Sequence, residues 1–245
     1  MVDDDNCPCG SGKAFSECCG DTTSPLWNER ANGRIPGSFF DSEHARHVAN
    51  EPICEFRSEL CPPGILVRQL SAKYGLARLG KKIIEKDNVQ RAQVRDDSNV
   101  SRVTGGRVTD IVEQGELVDQ IIALVRRVYA DELEPFYCCR FRAIEAPQVL
   151  RYSKGSHYKP HADSDIIDPV KRRWKKSKDR DYSLLVYLDS DFEGGELIFP
   201  NFNFRLRPEA GMLVAFPSDF RYLHGAMPVL GGIRHAIVSW GAVHG

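Results

Sequence analysis

Two residues near the middle of the chain, His161 and Asp163, have the types and spacing of metal ligands. Side chains two residues apart on an extended strand leave the same face, so this imidazole and this carboxylate would point at one spot. His224, arriving on a separate strand, would complete a set of two histidines and one carboxylate. Such a set leaves coordination positions open and suits a non-haem ferrous ion. Taken alone, a histidine and an aspartate at this spacing are more often solvated polar residues.

The residues around these three supply context that the spacing alone lacks. Tyr152, Gly155 and Tyr158 precede His161 at YxxGxxYxxH spacing. Three further blocks follow along the chain: LLVYLD at 184–189, GGELIFP at 194–200 and HGAMPVLGGIR at 224–234. With these blocks in this order, residues 148–240 resemble the prolyl 4-hydroxylase-like branch of the Fe(II)/2-oxoglutarate-dependent oxygenases. The resemblance implies a double-stranded β-helix, also called a jelly-roll, that holds Fe(II) through the two histidines and the aspartate.

The resemblance also implies which residues bind the cosubstrate. Arg234 lies ten residues after His224, where the family has the Lys or Arg that pairs with the 5-carboxylate of 2-oxoglutarate. A guanidinium can grip that carboxylate through two parallel charge-assisted hydrogen bonds. Tyr187 falls where a hydroxyl helps to hold the same carboxylate, and Tyr152 where one reaches the cosubstrate or the iron ligands. The alternatives are an arginine in an exposed ion pair and two ordinary strand aromatics.

Several positions near the implied pocket concern its shape. Gly194 and Gly195 predict a tight turn into the strand that follows. Tyr158 and Trp240 match family positions near the pocket, where they line the substrate channel or pack. The family more often has asparagine after the YL pair, where this chain has Asp189, and threonine after GGE, where it has Leu197. Neither departure involves a ligand, so both bear only on fine details of the pocket.

A second candidate metal site lies at the N-terminus. Four of the eight cysteines fall there with C-x-C-x8-C-C spacing: Cys7, Cys9, Cys18 and Cys19. Four thiolates with no open position suit structural tetrahedral zinc, and a disulfide or redox pair is the alternative. The segment CPCGSGKAFSECCG resembles the SEC-C zinc motif, which implies contact with ribosomes or the translation machinery. The other cysteines are interpreted as buried small side chains without a function: Cys54, Cys61, Cys138 and Cys139.

Composition limits the class of protein. The chain has 245 residues, 42% hydrophobic content and a formal net charge of −1, which argues against a generally basic nucleic-acid binder. The N-terminus is acidic where a signal peptide would be basic and apolar, and no apolar stretch is long enough to cross a membrane, so a cytoplasmic location is expected.

Basic residues concentrate in the segment 171–180, between the proposed metal-binding strand and the next one. They surround Trp174: Lys171, Arg172, Arg173, Lys175, Lys176 and Lys178. This segment is either a solvated loop or a surface that attracts an acidic protein or RNA, and the two alternatives are equal. Attraction of either partner would be salt-sensitive.

Periodicity predicts the elements that must position these residues. Residues 116–133 carry an apolar stripe at helical spacing, while 65–84 predicts partial helix and 42–50 a short helix. Residues 89–112 predict short strands or a lid loop. Short β-rich runs then favour a sandwich or barrel: 136–144, 148–152, 182–188, 197–199, 204–206, 212–216 and 235–240.

The expected fold is therefore α+β: a jelly-roll core with flanking helices and a small N-terminal zinc knuckle. The expected boundaries are a SEC-C-like motif at 1–20, a linker at 21–37 and an oxygenase domain at 38–245, with its core from about residue 136.

The leading functional hypothesis is hydroxylation of a residue, proline first, of an intracellular protein, with release of succinate and CO2 and with ascorbate as an optional reductant. One alternative is a hydroxylase of a free amino acid or small peptide. Another is an adaptor that docks through its zinc knuckle and whose oxygenase fold has lost activity. A nucleic-acid demethylase is disfavoured, because that branch has a second arginine soon after the cosubstrate-binding one and HAIVSWG follows Arg234 here.

Overall fold

The computed structural model describes residues 61–86, 88–95, 101–102, 106–168, 173–202 and 204–244. The expected zinc knuckle, the linker, the helix at 42–50 and Cys54 lie outside these residues. Within them, no helix combines the length and the apolar character that crossing a membrane requires.

The helices pack as a layer against one sheet. They are α1 (Leu76–Ile84), α2 (Val118–Val128) and α3 (Glu134–Tyr137), with a π-helical segment, Tyr129–Leu133, joining α2 to α3. Single 3₁₀ turns occupy Ala72–Tyr74, Gly115–Leu117, Pro200–Phe202 and Phe220–Tyr222. The apolar stripe predicted for residues 116–133 is buried in the largest hydrophobic cluster, which confirms that prediction: Leu117, Ile121, Leu124, Val125 and Val128.

The described residues form nineteen strands, numbered here in chain order: β1 Leu66–Gln69, β2 Val89–Arg91, β3 Val94–Arg95, β4 Ser101–Arg102, β5 Arg107–Val108, β6 Asp110–Val112, β7 Phe141–Ile144, β8 Gln148–Tyr152, β9 His157–His161, β10 Asp165–Asp168, β11 Arg173–Lys176, β12 Tyr182–Tyr187, β13 Phe192–Gly194, β14 Leu197–Phe199, β15 Phe204–Leu206, β16 Met212–Pro217, β17 His224–Ala226, β18 Val229–Gly232 and β19 Arg234–Val243.

Two antiparallel sheets make up the core, as the jelly-roll prediction requires. The larger has the order β1-β16-β12-β19-β8-β6-β2, with β7 also paired to β19. The smaller has the order β15-β14-β17-β9-β5. Side chains from both sheets share hydrophobic clusters, for example Tyr187 and Phe216 of the larger sheet with Phe199 of the smaller one. The space between the sheets therefore holds both packed side chains and the site described below.

Some predicted elements differ from the structure. Residues 66–69 form strand β1 on β16, so only the later part of 65–84 is helical. The run 136–144 was expected to be a strand throughout, but its first two residues belong to α3. Pro135 lies in the first turn of that helix, and Cys138 at φ 49° ends it. Residues 89–112 do contain short strands, as predicted.

The unassigned cysteines and the basic segment also differ from expectation. Cys138 is exposed rather than buried, while Cys61 and Cys139 are half-buried and free. Arg173–Lys176 is not loop but strand β11, paired with β10 in a hairpin. Trp174 in this hairpin stacks on Phe220 at 5.7 Å, which ties the basic segment to the loop before β17. Lys171 and Arg172 lie outside the described residues.

Candidate metal and cosubstrate site

The three predicted metal ligands converge at one point. His161 ends β9 and His224 begins β17, and these two residues are directly opposite each other in the pairing of the two strands. Asp163 follows two residues later, with its backbone N–H donating to Ser218 O at 3.0 Å. Ligand atoms of the three residues all lie within 4.8 Å of one another, and no other such cluster occurs among the described residues.

A β-bulge in β9 sets the direction of these side chains. The pairing of β17 with β9 shifts by one residue between His224 opposite His161 and Ala226 opposite Tyr158. Pro160 lies within the shift, where a residue without an N–H is tolerated. A Cβ on Gly225 would come within 2.9 Å of Tyr158 O and 3.1 Å of Pro160 N, so the bulged strand approaches where only glycine fits. β9 ends at His161, and Asp163 reaches the site from the turn beyond. The two side chains converge on one point as expected, although Asp163 is not part of the strand.

Backbone carbonyls orient the two imidazoles. His161 Nδ1 lies 2.9 Å from Lys159 O, and His224 Nδ1 lies 3.2 Å from Tyr222 O. A carbonyl can only accept, so Nδ1 carries the hydrogen in each ring and Nε2 presents its lone pair. Both Nε2 atoms lie 3.5 Å from an Asp163 oxygen. This is the tautomer in which both rings can bind a metal ion beside the carboxylate.

Burial and mutual charge set the ionisation of this cluster. Burial lowers the pKa of His224 to about 4, so its imidazole is neutral near pH 7. Burial opposes ionisation of Asp163, but the facing imidazoles of His224 and His161 and the hydrogen bond from Ser183 hold its pKa well below the usual range. A neutral imidazole and a carboxylate are the forms that bind a divalent cation. The donor set and its ionisation therefore fit Fe(II).

The predicted cosubstrate residues lie at the other end of the same cavity. Arg234 is only 2% exposed, which rules out the alternative of an exposed ion pair. Its guanidinium lies 3.9 Å from the centre of the Tyr152 ring and 5.7 Å from that of Tyr187, and its Nη1 donates to Gly195 O. Tyr152 thus forms a platform under the guanidinium, and whether its hydroxyl reaches the cosubstrate stays a prediction.

Two buried polar atoms at this end lack a hydrogen-bond partner among the described residues: Arg234 Nε and Tyr187 Oη. Burial raises the pKa of Tyr187, so its hydroxyl keeps its proton and can donate. Buried donors are rarely left unpaired in folded proteins. A carboxylate bound beside them would accept from both, so this end fits the 5-carboxylate of 2-oxoglutarate.

One cavity connects the two ends. Its walls between them are largely apolar, with Leu150, Leu184, Leu197, Ala226 and Val238 among the lining residues. Tyr158 and Trp240 also line it, and both pack against a hydrophobic cluster as well, so they combine the two roles expected for them. Tyr158 stacks on the His161 ring with 3.5 Å between ring centres, which fixes that ligand from one side.

Two residues that support Asp163 were missed at the sequence level. Ser183 Oγ donates to Asp163 Oδ2 at 2.7 Å and contacts Ser218 Oγ at 2.8 Å. Arg180 Nη1 donates to Asp163 O at 3.3 Å, and its guanidinium lies 3.7 Å from the centre of the Trp240 ring. For Ser183, the available signal was a lone hydroxyl in the otherwise apolar and aromatic strand YSLLVY.

Comparison with known proteins agrees with this geometry. Residues 147–241 match the 2OG-Fe(II) oxygenase superfamily, and residues 5–21 match the SEC-C motif, which is consistent with bound zinc. Human prolyl 3-hydroxylase 3 is 39% identical over 111 residues, which cover 42% of this chain and 15% of that protein. Prolyl 4-hydroxylase subunit alpha-2 of Gallus gallus is 28% identical over 167 residues, which cover 65% of this chain and 30% of that protein. The chain thus spans less than a third of the length of either relative.

Solved structures share the fold. A prolyl-4-hydroxylase of Pseudomonas putida superimposes with a TM-score of 0.53 at 20% identity, covering 74% of this chain and 94% of that one. The viral collagen prolyl hydroxylase of Paramecium Bursaria Chlorella virus-1 gives 0.50 at 23% identity, covering 74% and 97%. At these identities the likeness establishes the jelly-roll fold alone. Residues 147–241 therefore match the 2OG-Fe(II) oxygenase superfamily, and residues 5–21 match the SEC-C motif.

Proposed function

We propose that this protein is a 2-oxoglutarate-dependent dioxygenase that hydroxylates a residue, proline first, of an intracellular protein and releases succinate and CO2. One observation carries the proposal: a single cavity joins a two-histidine, one-carboxylate cluster to a buried arginine whose Nε has no partner among the described residues. A cluster of this kind fits a ferrous ion with open positions, and the arginine fits the far end of a dicarboxylic acid.

Each residue of the cavity has a separate task in this proposal. His161, Asp163 and His224 would hold Fe(II), which together with 2-oxoglutarate and dioxygen supplies an oxidant able to hydroxylate an unactivated C–H bond. Arg234 and Tyr187 would anchor the 5-carboxylate and so fix the orientation of the cosubstrate. The apolar walls exclude water from the space between the two ends, which strengthens the electrostatic interactions there.

The lining of the cavity supports a peptide as substrate. Tyr158 and Trp240 line it, and Arg180 stacks on Trp240 while its Nε and Nη2 donate to Glu145 at 2.5 and 2.6 Å. Aromatic rings, one of them with a fixed cation stacked on it, suit the apolar side chains and carbonyl groups of an extended peptide. The prolyl hydroxylases similar to this chain make proline the first residue to test.

The N-terminal segment supports a role in choosing the partner. A SEC-C motif at 5–21 is too short to build a hydrophobic core, so zinc would supply most of its folding free energy. We propose that this zinc knuckle contacts a partner on the translation machinery and brings the oxygenase domain to its substrate.

The experiment that tests the proposed activity is a succinate assay on the purified full chain. Protein, Fe(II) and 2-oxoglutarate are incubated with proline-containing peptides, and matched peptides with alanine in place of proline are the control. Succinate release that depends on proline, and that is lost in His161→Ala, supports the proposal. Mass spectrometry of proteins trapped by the metal-substituted, inactive form then identifies the substrate. A chain that binds Fe(II) and 2-oxoglutarate but forms no succinate with any of these proteins would instead support the adaptor hypothesis.

A further inference from the structure

A second histidine–aspartate pair lies behind the cosubstrate end of the cavity. His235 Nδ1 lies 2.6 Å from Asp189 Oδ2, and the His235 backbone N–H donates to both oxygens of the same carboxylate, at 3.0 and 3.1 Å. The two side chains are only 3% and 15% exposed. A carboxylate can only accept at neutral pH, so His235 Nδ1 carries the hydrogen and donates it. We call this three-bond unit the His235–Asp189 clasp.

The clasp adjoins both residues proposed to bind the 5-carboxylate. His235 directly follows Arg234 at the start of β19, and Asp189 follows Tyr187 by two residues at the end of β12. Because neighbouring side chains on a strand leave opposite faces, His235 points away from the cavity into which Arg234 points. The clasp therefore acts on Arg234 and Tyr187 through the backbone and not through contact with the cosubstrate.

The clasp also closes the pairing of the two strands that carry Arg234 and Tyr187. The register of β12 on β19 runs to Tyr187 opposite Ala236, after which Leu188 N–H donates to His235 O at 3.1 Å. The His235 N–H then donates to the Asp189 carboxylate, so the side chain extends the pairing by one more step. Without that step, the first two residues of β19 would be paired on the β8 side alone, apart from the bond to His235 O.

The backbone around Arg234 is held by strand pairing as well as by the clasp: Gly232 lies opposite Phe192 of β13, and Arg234 lies opposite Tyr152 of β8. Gly232 has φ +72°, and a Cβ on it would lie 2.4 Å from Asp191 O. Arg234 follows this glycine turn after one residue. The clasp holds the other edge of β19, the edge that faces β12, within one residue of Arg234.

The clasp pairs a carboxylate acceptor, Asp189, with a histidine donor, His235. A charge-assisted hydrogen bond is shorter and stronger than a neutral one, in agreement with the 2.6 Å distance. His235 Nε2 is buried without a hydrogen-bond partner among the described residues. Burying this polar atom costs free energy, and a leucine at the same position would avoid that cost.

We propose that Asp189 and His235 are positioning residues for 2-oxoglutarate: they hold Arg234 and Tyr187 in the geometry that binds the 5-carboxylate. This proposal rests on the proposed function, because it concerns the same cosubstrate. It assigns to the clasp an effect on 2-oxoglutarate affinity and none on the metal ligands, which lie on β9, β17 and the turn after β9.

The test separates the affinity for metal from the affinity for cosubstrate. Mn(II) and then 2-oxoglutarate are titrated into the full chain by calorimetry, for the wild type and four clasp variants. Asp189→Ala and His235→Leu remove the clasp, while Asp189→Asn and His235→Asn keep an acceptor or a donor close to the original position. Asp191→Asn, at an exposed position two residues along, is the matched control.

The removal variants are expected to weaken 2-oxoglutarate binding by about tenfold, as loss of an orienting partner behind a binding group typically does, and to leave the Mn(II) affinity within about twofold. The Asn variants and the control are expected to stay within about threefold of the wild type for both ligands. A merely structural role would lower the melting temperature without separating the two affinities and without rescue by Asn.

Three results, which can be told apart, would contradict either the role of the clasp alone or the proposed function with it. Folded removal variants that bind 2-oxoglutarate like the wild type overturn the role of the clasp alone. Equal loss of Mn(II) and 2-oxoglutarate affinity assigns the clasp to general stability and also overturns it. A wild-type chain that binds Mn(II) but not 2-oxoglutarate overturns the proposed function and the clasp with it. If one removal variant does not fold, the other is tested alone. If neither folds, Asp189→Ser is used in place of both.

Discussion

Ser183 donates a hydrogen bond of 2.7 Å to Asp163 Oδ2, from the larger sheet across to the carboxylate of the metal cluster. Ser183 is 1% exposed and lies on β12, four residues before Tyr187. One strand therefore carries a residue that orients the metal end of the cavity and a residue proposed for its cosubstrate end. The pairing of β12 with β16 and β19 therefore fixes the distance between the metal end and the cosubstrate end of the cavity.

Replacing Ser183 is expected to weaken metal binding. In Ser183→Ala the Asp163 carboxylate loses the hydrogen bond that fixes one of its oxygens, and losses of such orienting partners typically reduce metal affinity by about 10- to 100-fold. Titration with Mn(II) measures the effect, and Ser71→Ala, at an exposed position without a side-chain capping bond, is the control. Unchanged Mn(II) affinity in folded Ser183→Ala would show that the hydrogen bond does not orient the ligand.

Two glycine-to-alanine changes are expected to have opposite effects on stability. Gly225→Ala places a Cβ within 2.9 Å of Tyr158 O, so the bulged strand must move, at a cost of about 1–3 kcal/mol in the free energy of unfolding. Gly80→Ala lies within helix α1, where the new Cβ meets its neighbours at ordinary distances from 3.7 Å, and should stabilise by about 0.5–1 kcal/mol. Urea unfolding of both variants measures the difference. Equal stabilities would contradict the close approach of β9 to β17.

Substitutions of Arg234 should give a graded loss of cosubstrate affinity. Arg234→Gln removes the charge, and we expect 2-oxoglutarate to bind more weakly by about 2 kcal/mol or more, roughly thirtyfold. Arg234→Lys keeps the charge but loses the planar fork, so its loss should be smaller. Calorimetry on the Mn(II)-loaded protein measures both, with the exposed Arg205→Gln as control. An equal affinity in all four proteins would remove Arg234 from the site.

The adjacent cysteines should differ in their reaction with alkylating agents. Burial, followed by the nearby charge of Glu134, raises the pKa of Cys139 to about 11. At pH 8 only about one thousandth of this thiol is therefore the reactive thiolate, and the fraction increases as pH rises towards 11. We expect iodoacetamide to modify the exposed Cys138 first, and Cys139 only at high pH, as followed by peptide-resolved mass spectrometry. Rapid labelling of Cys139 at pH 8 would contradict its half-buried placement.

The sequence predicted those parts of the site that depend on residue type and local spacing. His161, Asp163, His224 and Arg234 were found because their chemistry is rare in combination and their blocks occur in a fixed order. The stripe in α2 was equally readable, since a helix buries residues at a constant interval. These patterns are formed by residues close together in the chain, so they can be recognised in a single sequence.

Features that depend on strand pairing could not be predicted in the same way. The bulge at Pro160 exists only relative to β17, and short strands such as β13, β17 and β18 are rich in glycine and lack β-branched runs. The contacts of Ser183 with Asp163 and of His235 with Asp189 join residues 20 and 46 positions apart, and nothing near either residue indicates its partner. In the hairpin β10–β11, the many charged residues around Trp174 gave no indication that Arg173–Lys176 forms strand β11.

The central claim is that one cavity holds a metal ion and the far carboxylate of 2-oxoglutarate at fixed places. Anomalous diffraction from crystals grown with Mn(II) and 2-oxoglutarate tests it most directly. The account predicts a Mn(II) peak within about 2.3 Å of His161 Nε2, His224 Nε2 and an Asp163 oxygen, with the 5-carboxylate hydrogen-bonded to Arg234. A metal peak away from these three atoms, or a 5-carboxylate that does not contact Arg234, would contradict it.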